Sequence, residues 1–313
     1  MEARHTHHNH AAPEAGERRL AIALALILTF MAAEVVIALS AKSLALLSDA
    51  AHMLTDAAAI ALALFAARLA ARPPRGGYTY GLKRAEILSA QVNGASLLLL
   101  GIWLGYEAVR RLVEPVAVTG FPVLVTAGIG VVVNVAAGWC LNSPSRDGSL
   151  NIRGAFAHIT NDAYAFGATA VAGVVILITG FARADAIATL VVVTLMLFSG
   201  LGLLRDSGRI LLEAAPAGVD PDEVGREIAA MAAVDEVHDL HIWVITSGQA
   251  ALSAHLIVAE GADCHAIRQE VGRWLGTTHN ITHSVLQVDH CSDVPDAVHC
   301  DDPHGPTHRV GSE

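Results

Sequence analysis

Apolar residues fill six long stretches of the chain, at about 19–40, 44–70, 84–112, 118–141, 152–180 and 185–212. Each is close to the roughly 20 residues that a helix needs to cross the hydrocarbon core of a bilayer. RPPRGGYTYGLKR separates the second from the third and NSPSRDGS the fourth from the fifth, both rich in turn residues. An even number of spans returns the chain to the side on which it began. After LLEAAP (211–216) the period changes. PDEVGREIAAMAA (221–233) has helical spacing, with Asp220 as its N-cap. EVHDLHIWVIT (236–246) and QAALSAHLIVA (249–259) alternate as strands around a Ser-Gly turn. DCHAIRQEVGRWLG (263–276) is helical and ITHSVLQVDH (281–290) is a third strand. The order α-β-β-α-β predicts a small α+β domain with its helices on one face of a sheet. Four regions follow: a polar segment 1–17, a six-helix transmembrane bundle 18–213, the α+β domain 214–291 and a polar C-terminal tail 292–313. The first region lacks the charged start, apolar run and small-residue site of a secretory signal.

Charge sharpens this division. Residues 1–217 carry a net +2, and residues 218–313 a net −12. An acidic polar domain argues against nucleic acid as a partner, since phosphate binding needs Lys/Arg patches, and it favours cations. Basic residues also set orientation. With the N-terminus inside, Arg4, Arg18, Arg19, Arg68, Arg72, Arg75, Lys83, Arg84, Arg146, Arg153, Arg205 and Arg209 fall inside. Only Lys42, Arg110, Arg111 and Arg183 fall outside, which places both termini in the cytoplasm. Histidine is in surplus, 16 residues, and the four cysteines form neither a CxxC pair nor a disulfide framework.

Charged groups at membrane depth are unfavourable by about 2.5–3.5 kcal/mol each on insertion scales, so they face an interior site. The second span holds SDAAHMLTDA, which puts Asp49, His52 and Asp56 on one helical face. The fifth holds AFAHITNDA, with His158 and Asp162 four apart. Two spans thus carry H-x-x-x-D. Each offers an imidazole nitrogen and a carboxylate oxygen one turn apart, and together they supply a tetrahedral set suited to Zn2+. Mg2+ and Ca2+ prefer all-oxygen shells of higher coordination, whereas Cd2+ and Co2+ remain compatible. The plainer alternative is a private His-Asp hydrogen bond within each helix. Asn134 and Asn161 are polar intramembrane residues suited to interhelical hydrogen bonds. The residues alone leave three classes open: a transporter, an intramembrane metalloenzyme and a metal receptor. No HExxH is present, and a four-ligand set closes the position that a hydrolytic water needs.

LLSDAAHMLTDA (46–57), YTYGLKRAEILSAQVN (78–93), GAFAHITNDA (154–163), LLEAAP (211–216), HDLHIW (238–243) and LSAHL (252–256) together resemble the cation diffusion facilitator family, zinc-exporting type. The resemblance runs from about residue 18 to 291. It implies six spans, a cytoplasmic ferredoxin-like domain, a homodimer and export of divalent metal against protons from a bacterial inner membrane. His52, Asp56, His158 and Asp162 match the transport site, and the His at the first position is associated with zinc. Asp49 is left a role in proton transfer or ion admission, with helix packing as the alternative. Arg84 and Glu213 match a pair that couples the membrane part to the cytoplasmic domain.

In the cytoplasmic domain His238, His255 and Asp289 match metal ligands on the three strands, with His283 as a further candidate. Zinc is then a regulatory ligand as well as the substrate. His241 and Trp243 are expected on the opposite face of their strand from His238, as packing residues. Cys264 and His265 open the second helix and are weaker candidates. The His tracts at 5–10 and at His299, His304 and His308 suggest weak metal capture. The turn between spans two and three has no His, Asp, Glu or Cys, so no metal is expected there, and Tyr78 and Tyr80 read as interface anchors.

Overall fold

The computed structural model describes residues 11–41, 44–115, 120–141, 150–181, 183–290 and 305–309; within the first two helices it leaves several side chains undescribed, most of those from 37 to 56. The chain divides into two compact units, Met1–Gly208 and Arg209–Glu313.

The first unit is helical. Its elements are α1 (Ala11–Ala41), α2 (Leu44–Ala70), α3 (Ala85–Val113), α4 (Gly120–Leu141), α5 (Leu150–Thr179) and α6 (Arg183–Leu211). They follow the six apolar stretches. Helix α1 starts earlier than the apolar pattern, because AAPEAGE favours helix and Pro13 falls in the first turn, where a missing N–H is tolerated. Among the described residues, four helices are long and apolar enough to cross a membrane: Ala85–Val113, Leu124–Leu141, Ile152–Thr179 and Arg183–Leu211; Leu20–Ala33 and Ala57–Ala70 are shorter apolar segments.

Among the described residues, two seams hold this unit. Leu20, Ala23 and Ile27 of α1, Ala57, Ile60 and Ala63 of α2, Ala137 and Leu141 of α4, and Ala155 and Ile159 of α5 form one buried cluster. Leu97 of α3 packs with Val192, Met196 and Leu203 of α6 in a second. Small residues let α3 and α6 approach closely. A Cβ on Gly200 would lie 2.9 Å from the Gly94 carbonyl oxygen, and one on Gly94 would lie 3.0 Å from the Leu203 Cβ. Charge pins the helix ends: Arg111 lies 3.7 Å from Asp185, the Arg183 Nε donates to the Leu112 carbonyl at 3.0 Å, and Arg153 donates to Asp206 at 3.1 Å.

The second unit runs α7 (Pro221–Ala229), β1 (Val234–Thr246), β2 (Gln249–Val258), α8 (Cys264–Thr278), β3 (His283–His290) and β4 (His308–Arg309). Asp220 caps α7 by accepting from the Asp222 N–H at 3.0 Å, with Pro221 at the first helical position. Asp263 caps α8 by accepting from the His265 and Ala266 N–H groups. The sheet order is β3-β2-β1-β4. β1 and β2 form an antiparallel hairpin, and β3 joins β2 in parallel through the α8 crossover. Leu252, Ala254, Leu256 and Val258 point to one face, where they meet Val224 and Ile228 of α7 and Ile267, Val271 and Leu275 of α8. Full burial of each large aliphatic side chain contributes about 1.5–3 kcal/mol.

The ferredoxin-like α-β-β-α-β order is therefore present, with one addition. His308 and Arg309, within the stretch expected to be tail, pair antiparallel with Val237 and Glu236 and form a fourth strand. A two-residue strand carries too little pattern to be read from sequence.

Candidate metal sites in the bundle and the sheet

Helical spacing places His158 and Asp162 on one face of α5, and that face is buried: they are 3% and 6% exposed. The His158 Nε2 lies 3.8 Å from the Asp162 Oδ2. Helix α2 packs against α5, and Ala57 and Ile60 of α2 share a buried cluster with Ala155 and Ile159 of α5. The His52 and Asp56 positions lie on α2 just before those residues; their side chains, and that of Asp49, lie outside the described residues. Among the described residues, Ser89, Asn93, Asn134, Asn161 and Ser207 of this unit are also buried polar side chains. Asn134 donates to the Gly130 carbonyl of its own helix at 3.1 Å, a local bond rather than the interhelical one expected. Asn93 of α3 reaches α5: a Cβ on Gly154, one turn before His158, would sit 3.1 Å from the Asn93 Nδ2. The Asn93 Oδ1 is buried without a hydrogen bond. Asn93 went unsingled in the sequence, although a polar residue within an apolar span is a readable signal.

The second candidate lies on the sheet face opposite α7 and α8. His238 pairs in register with His255, and their rings stand edge to face with centroids 5.4 Å apart. Asp239 completes a group of three whose ligand atoms lie within 4.8 Å of one another. The local backbone explains this. β1 spans His238 to His241 while β2 spans only His255 to Ser253, so β1 has an extra residue, and Asp239 takes φ 50°. A β-bulge of this kind re-aims a side chain that would otherwise alternate away. The Asp239 Oδ2 is buried, makes no hydrogen bond and lies 3.4 Å from the His255 Nδ1. Sequence reasoning missed Asp239 because strict alternation puts it on the core side.

The same bulge corrects the expectation for His241 and Trp243. They pair with Ser253 and Ala251, which share the face of His255, so they lie on the same side as His238. Asp289 and His283 are also on this face, opposite Ile257 and Ala251, while Gln287 stands opposite His255. Asp289 accepts from the Gln287 Nε2 at 2.7 Å and is not brought into the group of three, nor is His283. Cys264 belongs to the other face: its Sγ lies 3.6 Å from His290, which pairs with the core-facing Val258. His308, grouped above with the metal-capturing tail, is 6% exposed in β4; His299, His304 and residues 5–10 lie outside the described residues. Arg84 precedes α3 as its N-cap, and Glu213 follows α6 with φ 59°.

Family comparisons cover both units. The cation efflux transmembrane domain matches residues 20–212, and the cation efflux protein cytoplasmic domain matches residues 216–291. The chain is 35% identical over 286 residues to a cadmium, cobalt and zinc/H(+)-K(+) antiporter of Bacillus velezensis, covering 90% of this chain and 91% of the relative. It is 33% identical over 304 residues to the zinc transporter ZitB of Pectobacterium atrosepticum, covering 96% and 92%. The metal-bound C-terminal domain of the CzcD transporter from Cuprividus metallidurans is 35% identical and covers 22% of this chain and 97% of its own, at a TM-score of 0.22.

Proposed function

The chain belongs to the cation efflux (cation diffusion facilitator) family, and on that premise we propose that it exports Zn2+ from the cytoplasm in exchange for H+, with Cd2+ and Co2+ as further substrates. It is an integral membrane protein with a cytoplasmic C-terminal domain, of a transporter family and not an enzyme. The proposed transport ligands are His52 and Asp56 of α2 with His158 and Asp162 of α5. One observation carries the reading: His158 and Asp162 are buried together in an apolar helix, and α2, which packs against that helix, bears the same spacing.

Exchange follows from the donor set. Zinc binds neutral imidazole and ionised carboxylate, so loading displaces protons and protonation releases the ion. Histidine suits this because its unperturbed pKa, about 6.5, is close to the pH on both sides. Two carboxylates also offset the charge of a divalent ion that the bilayer would otherwise exclude. Alternating access then moves helices about the site. Asp49 assists proton transfer or ion admission, and Arg84 and Glu213 couple the two domains. The chain works as a homodimer in a bacterial inner membrane, both termini cytoplasmic. Its cytoplasmic domain binds zinc as a regulatory ligand through His238, His255 and Asp239, with Asp289 and His283 available to complete the shell in the dimer. The relatives named as zinc and cadmium/cobalt/zinc transporters support the metal class.

The test is zinc flux in proteoliposomes under an imposed pH gradient, with internal pH recorded in parallel. Parent protein should move zinc and protons in opposite directions. H158A and D162N should lose both signals while still eluting as the parent does. Undiminished flux in either variant overturns the site.

A further inference from the structure

The fourth strand occupies an edge of the sheet that would otherwise be open, and it does so beside the cytoplasmic metal group. Its two residues face opposite ways. His308 turns to the helix side, buried against α7, where its ring contacts Gly225 so closely that a Cβ there would have no room. Arg309 turns to the metal side. Its Nε and Nη2 both reach the Glu236 Oε2, at 2.7 and 2.6 Å. The other carboxylate oxygen of Glu236, Oε1, lies 3.0 Å from the Nδ1 of His238. That contact has ion-pair distance but lacks hydrogen-bond alignment.

A histidine that ligates metal with one ring nitrogen is commonly oriented by a carboxylate on the other. Glu236 stands where such a carboxylate must, and Arg309 fixes it. We propose that β4 is a clamp on the cytoplasmic metal site: Arg309 holds Glu236, and Glu236 orients His238 so that its Nε2 faces the ion. Arg309 and Glu236 are positioning residues, not ligands. The inference rests on the reading of His238, Asp239 and His255 as a zinc site. Coupling is reciprocal, so zinc binding tightens strand β4 as much as β4 tightens zinc binding. Arg309 is mostly exposed, so the clamp weakens as salt screens it.

The experiment uses the full-length protein in detergent. Zinc affinity is measured by competition with a chromophoric chelator, and hydrogen exchange follows the amides of residues 308–309. H238A identifies which class of bound zinc belongs to this site. R309A and E236Q should each weaken that class roughly tenfold or more, the size usual for loss of such an orienting partner. G225A, which displaces His308 without touching a charge, should do the same. The double variant R309A/E236Q should be no weaker than E236Q alone, because the two act in series. In parent protein zinc should slow exchange at 308–309, and in E236Q it should not. If R309A and G225A speed that exchange but leave zinc affinity within twofold of parent, β4 is structural only and the proposal is wrong. If H238A removes no zinc, the site reading itself fails, and the clamp falls with it.

Discussion

The close approach of α3 and α6 gives a prediction whose magnitude can be worked from the geometry. Replacing Gly200 by Ala puts a Cβ 2.9 Å from the Gly94 carbonyl oxygen and 3.0 Å from the Leu98 Cδ2 and Cγ. The carbonyl belongs to a helix backbone and cannot rotate aside. Ordinary contact therefore needs the helices to part by about half an ångström, and a gap of that size forfeits about a quarter of each van der Waals well along the seam. The seam includes Leu97, Val192, Met196 and Leu203. Overpacking of this kind is unfavourable by about 1–3 kcal/mol. A Gly-to-Ala change also adds helix propensity, up to about 1 kcal/mol. Gly202 isolates that term: it is two residues on in the same helix, and a Cβ there meets nothing within 4 Å. The difference between G200A and G202A is then steric alone. G200A should be less stable than G202A by about 1–3 kcal/mol, with G202A equal to or above parent. Reversible denaturation in mixed micelles, followed by tryptophan fluorescence, measures both. Equal stability of the two variants, within about 0.5 kcal/mol, would refute the close α3–α6 approach.

Other expectations are briefer. D239A should weaken zinc binding at the cytoplasmic site as much as H255A does, measured by chelator competition on the full chain; an effect confined to H255A would remove Asp239 from the ligand set. L256A, at a fully buried core position, should destabilise the cytoplasmic domain by about 2–5 kcal/mol in thermal unfolding. D220A removes the cap of α7 and should lower stability by about 1 kcal/mol in the same assay, with zinc affinity unchanged. The flux loss expected of H158A and D162N, and the series behaviour of Arg309 and Glu236, complete the set.

Much of the bundle was readable because a span is a local property: some twenty apolar residues state their own environment, whatever packs against them. The H-x-x-x-D spacing is equally local, since one turn of helix fixes which residues share a face. His158 and Asp162 therefore emerge side by side, as the interval alone requires, and the packing of the bundle buries them. The pairing of His238 with His255 was also legible, as two alternating runs across a short turn bring them level.

What escaped the sequence depends on register and on contacts distant along the chain. One extra residue in β1 reverses every later side chain, so Asp239 joins the two histidines and His241 and Trp243 share the face of His238. Nothing in HDLHIW marks that bulge, because a strand shows its register only against its partner. Cys264 meets His290 rather than the His238 group because the α8 crossover sets them on the helix side of the sheet. The same holds for the end of the chain, where the residues read as a tail close the sheet edge and reach Glu236 across more than seventy positions. Periodicity along the chain determined which segments form the long apolar helices and where one helix pairs its imidazole with a carboxylate; only the folded sheet decided which other side chains meet, because register is settled between strands and is not written within any one of them.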